Sequence, residues 1–441
     1  MSTTQKNKDD KRNERKAAQE HQRATKKSWL ATLGPGLITG ASDDDPSGIA
    51  TYSQVGAQFG YSILWTMLFS YPLMAAIQEI SARIGRVTGR GISANIRRYY
   101  SPWLLYPIVL LMLIANTINL GADLGAMGSA VQLLVGGPRL AYTAIIALLC
   151  MGAQTFMPYT TYARVLKWLT LALFAYVGVV FVAHIPWGTA LLGTIRPTIH
   201  FTPTYLTDMI AVLGTTISPY LFFWQASEEV EEERAAPKEL PLLRAPRQSR
   251  FQFHRILVDT YVGMGFSNLI SFFIILTTAA VLHSHGVTNI QTASQAALAL
   301  KPIAGRFAFL LFGLGIIGTG LLAVPVLAGS AAYGVGEAMR WPVGLEHEPG
   351  RAKRFYIVLA VATLVGLALN LIHIDPIKAL FWTAVINGVV AVPVMIVMMI
   401  MTHNPKIMGQ FVLPARLTIL GWLSTAVMFA AAVGLFATWG K

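Results

Sequence analysis

The chain has 441 residues, 54% of them hydrophobic and only 12% charged, with a formal net charge of +13. Soluble chains carry roughly 25% charged residues, so this balance excludes an ordinary soluble domain and points to a protein that crosses the bilayer many times. The basic excess does not mark a nucleic-acid binder, because Lys and Arg cluster between apolar runs as in cytoplasmic loops, and the single Cys150 excludes an intrachain disulfide or a cysteine metal site.

Residues 1–28 are rich in charge and almost free of large apolar side chains. They are expected to form a disordered cytosolic tail rather than a secretory signal, since the apolar run that follows continues too long. About eleven apolar spans are predicted, near 29–58, 60–84, 102–135, 139–156, 163–184, 206–227, 258–283, 305–337, 354–373, 377–401 and 415–438. Arg83, Arg86, Arg90, Arg97 and Arg98 follow the second span, Lys238 to Arg255 follow the sixth, and Arg351 to Arg354 precede the ninth. The loops 185–205 and 284–304 are poor in such residues. All the rich loops fall on one side when the N-terminus is cytosolic and the C-terminus external, the orientation expected in a cell membrane.

Two spans are interrupted. In the first, Thr39-Gly40-Ala41-Ser42-Asp43-Asp44-Asp45-Pro46-Ser47-Gly48 places three carboxylates and a helix breaker inside an apolar run. A charge near the bilayer centre costs at least ~2.5–3.5 kcal/mol, and such residues face a cavity and do work. Proline ends the helix and leaves backbone carbonyls and amides that need partners. In the sixth span the break reads Gly214-Thr215-Thr216-Ile217-Ser218-Pro219-Tyr220. Matching breaks five spans apart indicate an all-α transporter built from inverted repeats, 29–184 and 206–401, with 415–438 as an additional helix and the substrate site near the midplane.

Gly34-Pro35-Gly36 followed by Asp45-Pro46-Ser47-Gly48 resembles the first span of the Nramp divalent-metal transporters, where Asp-Pro-Gly-Asn forms the break. Ser218-Pro219-Tyr220 is similar to the family's Met-Pro-His, and Gly121-Ala122-Asp123-Leu124 to its third-span Asp-Leu helix. The chain departs from the family at Gly48 (Asn), Ser218 (Met), Tyr220 (His) and Ala126 (Glu), and these departures resemble the Nramp-related magnesium transporter branch. The resemblance implies a LeuT-like fold, a divalent cation as cargo, no cofactor, and Asp45 as the principal metal ligand.

The residues argue in the same direction. A thioether selects soft transition metals; its absence favours hard cations such as Mg2+, which prefers oxygen ligands and dehydrates reluctantly. The expected ligand set is Asp45, the Ser218 hydroxyl, Gly48 as the roomy position, carbonyls such as those of Thr215 and Ala41, and water. Asp44 is either a ligand or the cap of the second half-helix, Asp43 supplies negative potential, and Ser218 is either a ligand or an interhelical hydrogen-bonder. Tyr220 packs or lines the vestibule. Asp123 is either a water-exposed relay or a partner for another helix. Gln225 and Asn387 are candidate cavity residues, Asn387 sharing a helix face with Thr383, and Glu228 with Glu229 would form a cation-attracting exit. The missing histidine and glutamate remove titratable groups that a proton path would use. Magnesium import without proton coupling, with Mn2+ as second cargo, is therefore the leading expectation, ahead of a proton-coupled Mn2+ or Fe2+ importer. A sodium-coupled solute carrier is disfavoured by three acids at the break, and an intramembrane protease or a scaffold has no supporting signature. The oligomeric state is left open, a monomer included.

Overall fold

The computed structural model describes residues 39–40, 42–157, 173–236, 239–345, 347, 349–372 and 374–438. Among these every regular element is a helix. The principal ones are α1 (Pro46–Phe59), α2 (Trp65–Thr88), α3 (Ile92–Tyr99), α4 (Pro102–Val135), α5 (Arg139–Phe156), α6 (Phe174–Val180), α7 (Trp187–Ile195), α8 (Pro203–Thr216), α9 (Pro219–Ala235), α10 (Ser249–Val281), α11 (Ala308–Ala338), α12 (Lys353–Leu369), α13 (Pro376–Thr402) and α14 (Ala415–Thr438). Their starts follow local chemistry. Ser101, Thr202 and Asp375 cap α4, α8 and α13 through side-chain oxygens, each with proline in the first turn, where its missing N–H has no helical partner to lose.

Among the described residues seven helices are long and apolar enough to cross a membrane, or eight if α1 and α2, bent by 109°, count as one span. The difference from eleven has identifiable sources. The first and fifth predicted spans are described only from residues 39 and 173, and α12 is 17 residues long. The loop 185–205 contains α7, and 284–304 contains short helical turns that close over the bundle end.

The basic segments gather at one end of the bundle. There Arg97 donates to the Glu337 carbonyl at 2.7 Å, Ala94 N–H donates to the Glu337 carboxylate at 3.1 Å, and Leu242 N–H donates to the Arg86 carbonyl at 3.1 Å. At the other end α7 packs on residues 60–63, and Ile290 N–H donates to Gln54 at 2.8 Å. Exposed apolar residues such as Leu110, Ile145, Val361 and Ile419 form the outer surface, as a lipid-facing wall requires. Inside, α4 lies along α11, with Met127 seated over Gly320 and Met112 over Gly334, so the small residues of the eighth span admit close approach. Gly214 of α8 meets Gly388 of α13 backbone to backbone; a Cβ on Gly214 would overlap the Ala384 carbonyl and the Gly388 backbone.

Candidate metal site

The chain is helical up to Asp43, opens at Asp44 and Asp45, and becomes helical again at Pro46. Asp45 sits in extended conformation (φ −68°, ψ 169°) with proline next to it, so the Asp-Pro-Ser-Gly string is itself the start signal of α1. Its Oδ1 accepts from Gly48 N–H at 2.8 Å and from the Ser47 hydroxyl at 2.6 Å. The cap that the sequence offered to Asp44 therefore belongs to Asp45. Its second oxygen, Oδ2, faces the rest of the protein and accepts from Asn119 Nδ2 of α4 at 3.0 Å and from the Tyr220 hydroxyl at 3.4 Å. Tyr220 is thus more than a packing residue: its hydroxyl sits between Asp45 and the Ser42 carbonyl, 3.3 Å away.

The sixth-span break closes on itself in a comparable way. The Ser218 hydroxyl donates back to the carbonyls of Gly214 (2.8 Å) and Thr215 (3.0 Å), using carbonyls that the end of α8 leaves open. The single hydroxyl proton is shared between the two carbonyls, and both the Ser218 hydroxyl and the Thr215 carbonyl keep a lone pair for a cation. The two breaks meet at Gly48: a Cβ there would lie 3.1 Å from the Thr215 hydroxyl and 3.3 Å from Cε2 of Tyr52. Glycine here lets the Thr215 hydroxyl and the Tyr52 ring close on the break, so the position expected to be roomy is a close contact instead.

Asp43 and Asp44 turn away from Asp45 toward α10. Ser267 lies 2.6 Å from Asp43 Oδ2 and 3.0 Å from Asp44 Oδ1, and Ser271 lies 3.4 Å from Asp44. One hydroxyl proton cannot serve both carboxylates, and Asp43 Oδ1 has no hydrogen-bond partner. Asp123 is fully buried, within electrostatic range of Asp45, and neither of its oxygens accepts a hydrogen bond. Asp43, Asp44, Asp45 and Asp123 are all at most 4% exposed, and no Lys or Arg among the described residues forms an ion pair with any of them. Buried carboxylates left in this state are costly unless a cation or a proton joins them.

The remaining candidates scatter. Gln225 accepts from the Thr39 hydroxyl and so ties the first half of span one to α9. Asn387 is buried in α13 with both amide atoms unpartnered, one turn from the buried Thr383. Glu228 lies ten residues past Ser218, about 15 Å along the helix, and does not join the carboxylate group. Glu229, expected beside it at a cation exit, is instead fully buried and paired with Arg255. Ala41 falls outside the described residues. Among the described residues no three His, Cys, Asp or Glu side chains converge as a metal cage. A cation here would be held by at most two carboxylates, completed by neutral oxygens.

Sequence reasoning overlooked Asn119, Ser47, Ser267, Ser271 and Tyr52. Three of these carried a legible signal: Asn119 precedes Asp123 by four residues and Ser267 precedes Ser271 by four, each pair marking a polar stripe on an otherwise apolar helix.

Comparison with known proteins bears on this arrangement. The natural resistance-associated macrophage protein-like family model (Nramp) matches residues 36–438. The chain is 26% identical over 419 residues, 92% of its length and 94% of the relative's, to the divalent metal cation transporter MntH of Klebsiella pneumoniae. Among solved structures it is similar to the Eremococcus coleocola manganese transporter (TM-score 0.75, 15% identity, 93% of this chain and 87% of that one). It is also similar to Mhp1, a nucleobase-cation-symport-1 family transporter in a closed conformation (TM-score 0.58, 14% identity, 93% of each chain). The fold is LeuT-like, no cofactor is indicated, and the protein is a multi-pass membrane transporter rather than an enzyme. With a family match that runs through both broken spans and on to residue 438, the chain belongs to the Nramp family.

Proposed function

We propose that this Nramp protein carries divalent metal cations into the cytoplasm, magnesium first and manganese second, between the broken first and sixth spans and without moving protons. The observation that carries the reading is the group of four buried carboxylates at and beside the first break, with no base paired to them among the described residues. That field favours a cation over a carboxylate-bearing solute. The relatives' printed names, a divalent metal cation transporter and a manganese transporter, support the cargo class.

The magnesium preference rests on what surrounds Asp45. Ser47, Gly48 N–H, Asn119 and Tyr220 all donate to the carboxylate, and among the described residues no thioether or imidazole hydrogen-bonds to it. A carboxylate set among hydroxyl and amide groups, with the Thr215 hydroxyl close by across Gly48, suits a hard ion that keeps part of its water. A dication gains about 4.6 kcal/mol per 100 mV on moving into a negative compartment, at ~2.3 kcal/mol per charge. Downhill import therefore needs no second ion.

Reconstitution into proteoliposomes with an inside-negative potential and an internal pH dye tests both parts. Magnesium uptake without lumen acidification is the expected result. Installing Gly48→Asn with Ser218→Met should lower magnesium uptake about tenfold relative to manganese, and an unchanged ratio would remove the selectivity argument. The specific observation favouring a proton-coupled manganese carrier is Asp123, a buried carboxylate with no donor and so able to take a proton. Manganese entering with acidification that Asp123→Asn abolishes would replace the uncoupled reading.

A further inference from the structure

A second polar site lies away from the breaks. At the bundle end opposite the basic loops, a cavity of about 380 Å³ is bounded by α1, α8, the 289–290 loop and the start of α13. One face of α1 runs along it: Ala50, Gln54 and Gln58 line the cavity at four-residue spacing, and the same stripe continues down to Pro46, next to Asp45. From Gln58 to Pro46 the stripe spans about 18 Å at 1.5 Å per residue.

Asp208 of α8 is the acid of this cavity. It is 3% exposed, its Oδ2 accepts from Gln58 Nε2 at 3.0 Å, and its Oδ1 accepts no hydrogen bond among the described residues. Gln54 donates to Gln58 at 2.8 Å, so the two amides form a relay that orients the carboxylate from below. Lys378, in the first turn of α13, lines the same cavity with an exposed side chain and makes no ion pair with Asp208 among the described residues. A carboxylate with one oxygen free of protein donors among the described residues thus faces a cavity wide enough for a hydrated ion.

We infer that Asp208, held by the Gln54–Gln58 amides, is an outer recruitment site that captures a divalent cation with most of its water before it descends the α1 stripe to Asp45. The inference rests on the proposed transport of divalent cations and adds a first station to it. The amide oxygens of Gln58 and Gln54 are engaged by Gln54 and by Ile290 N–H, so the pair fixes the carboxylate and Asp208 Oδ1 meets the water shell, the outer-sphere contact a slowly dehydrating dication prefers. Lys378 opposes capture by like-charge repulsion, and its long stem lets the ammonium swing clear or close on Asp208.

The two charges give tests of opposite sign. In proteoliposomes at low ionic strength, Asp208→Asn should raise KM for manganese about fivefold, and Lys378→Gln should lower it about threefold, through changed local cation concentration. The saturating rate should move less than KM in both. High salt should shrink both shifts by screening. Asparagine retains the shape and the hydrogen bond to Gln58, and Lys378 is exposed, so neither variant threatens folding. Asp45→Ala in the same assay reports on the transport reading separately. If Asp45→Ala abolishes uptake while Asp208→Asn and Lys378→Gln leave KM unchanged or move it in the same direction, the outer site is refuted and transport stands. If the wild-type protein takes up no divalent cation, both fall.

Discussion

Asp45→Asn should reduce divalent cation uptake at least about a hundredfold while leaving the protein folded. Asparagine caps helices about as well as aspartate, so the hydrogen bonds to Gly48 N–H and Ser47 survive in outline and the stability change stays within about 0.5 kcal/mol. What disappears is the charge on the oxygen that faces Asn119 and Tyr220. Losing a charge-assisted ligand in a dry site costs about 3 kcal/mol or more for a bound dication, which is a factor of a hundred in occupancy. Asp45→Ala would lose the cap as well, and comparing the two variants separates helix support from cation binding. The measurement pairs uptake in proteoliposomes with a melting curve in detergent. Near-normal uptake by the asparagine variant would show that Asp45 serves only as a cap.

The second large effect concerns stability. Arg255, at the start of α10, is 9% exposed and pairs with Glu229, which is fully buried, and with Glu232 at 2.8 Å; its Nε also donates to Gln252 at 3.0 Å. It thereby pins the end of α9, the second half of the broken sixth span, to the next helix. Removing one partner of a buried ion pair leaves the other charge uncompensated, at a cost of about 3–5 kcal/mol. Arg255→Gln should therefore lower the melting temperature strongly. Adding Glu229→Gln should recover most of the loss, because the stranded charge goes with it. If the single variant melts within a degree of wild type, or the double variant is no better than the single, the pair does not hold these helices together.

Much of the fold was legible because a bilayer leaves few options for an apolar run. Length, the basic loops and two proline breaks sufficed to place the helices and to put the two breaks together, and Gly48 does lie against Thr215. The site was legible in its anchor but not in its wiring. Three consecutive aspartates look equivalent in a sequence, yet a broken helix turns successive side chains in different directions. Asp45 therefore caps α1 and faces α4, while Asp43 and Asp44 face Ser267 on α10. Asn119 went unnoticed because an amide in a long apolar helix, with Asn116 one turn before it, looks like any interhelical hydrogen-bonder; its four-residue spacing to Asp123 hints at a polar stripe, but only the fold shows that it points at Asp45. Glu229 misled for the opposite reason, since acids at the cytosolic end of a broken span read as a cation exit until Arg255 is found beside it.

The bare backbone contact between Gly214 and Gly388 has its own consequence for motion. Most helix pairs interlock through side chains, so sliding one past the other means unseating knobs and changing rotamers in a packed interior. Where these two glycines touch, the contact is mainly backbone on backbone, with the Ile210 side chain seated against Gly388. A shear of the end of α8, just before the sixth-span break, against α13 would need few side chains to change rotamer, as on a plain bearing. A substitution such as Gly388→Val would fill that bearing, and its first effect would be to slow the turnover of the transporter rather than its hold on the ion.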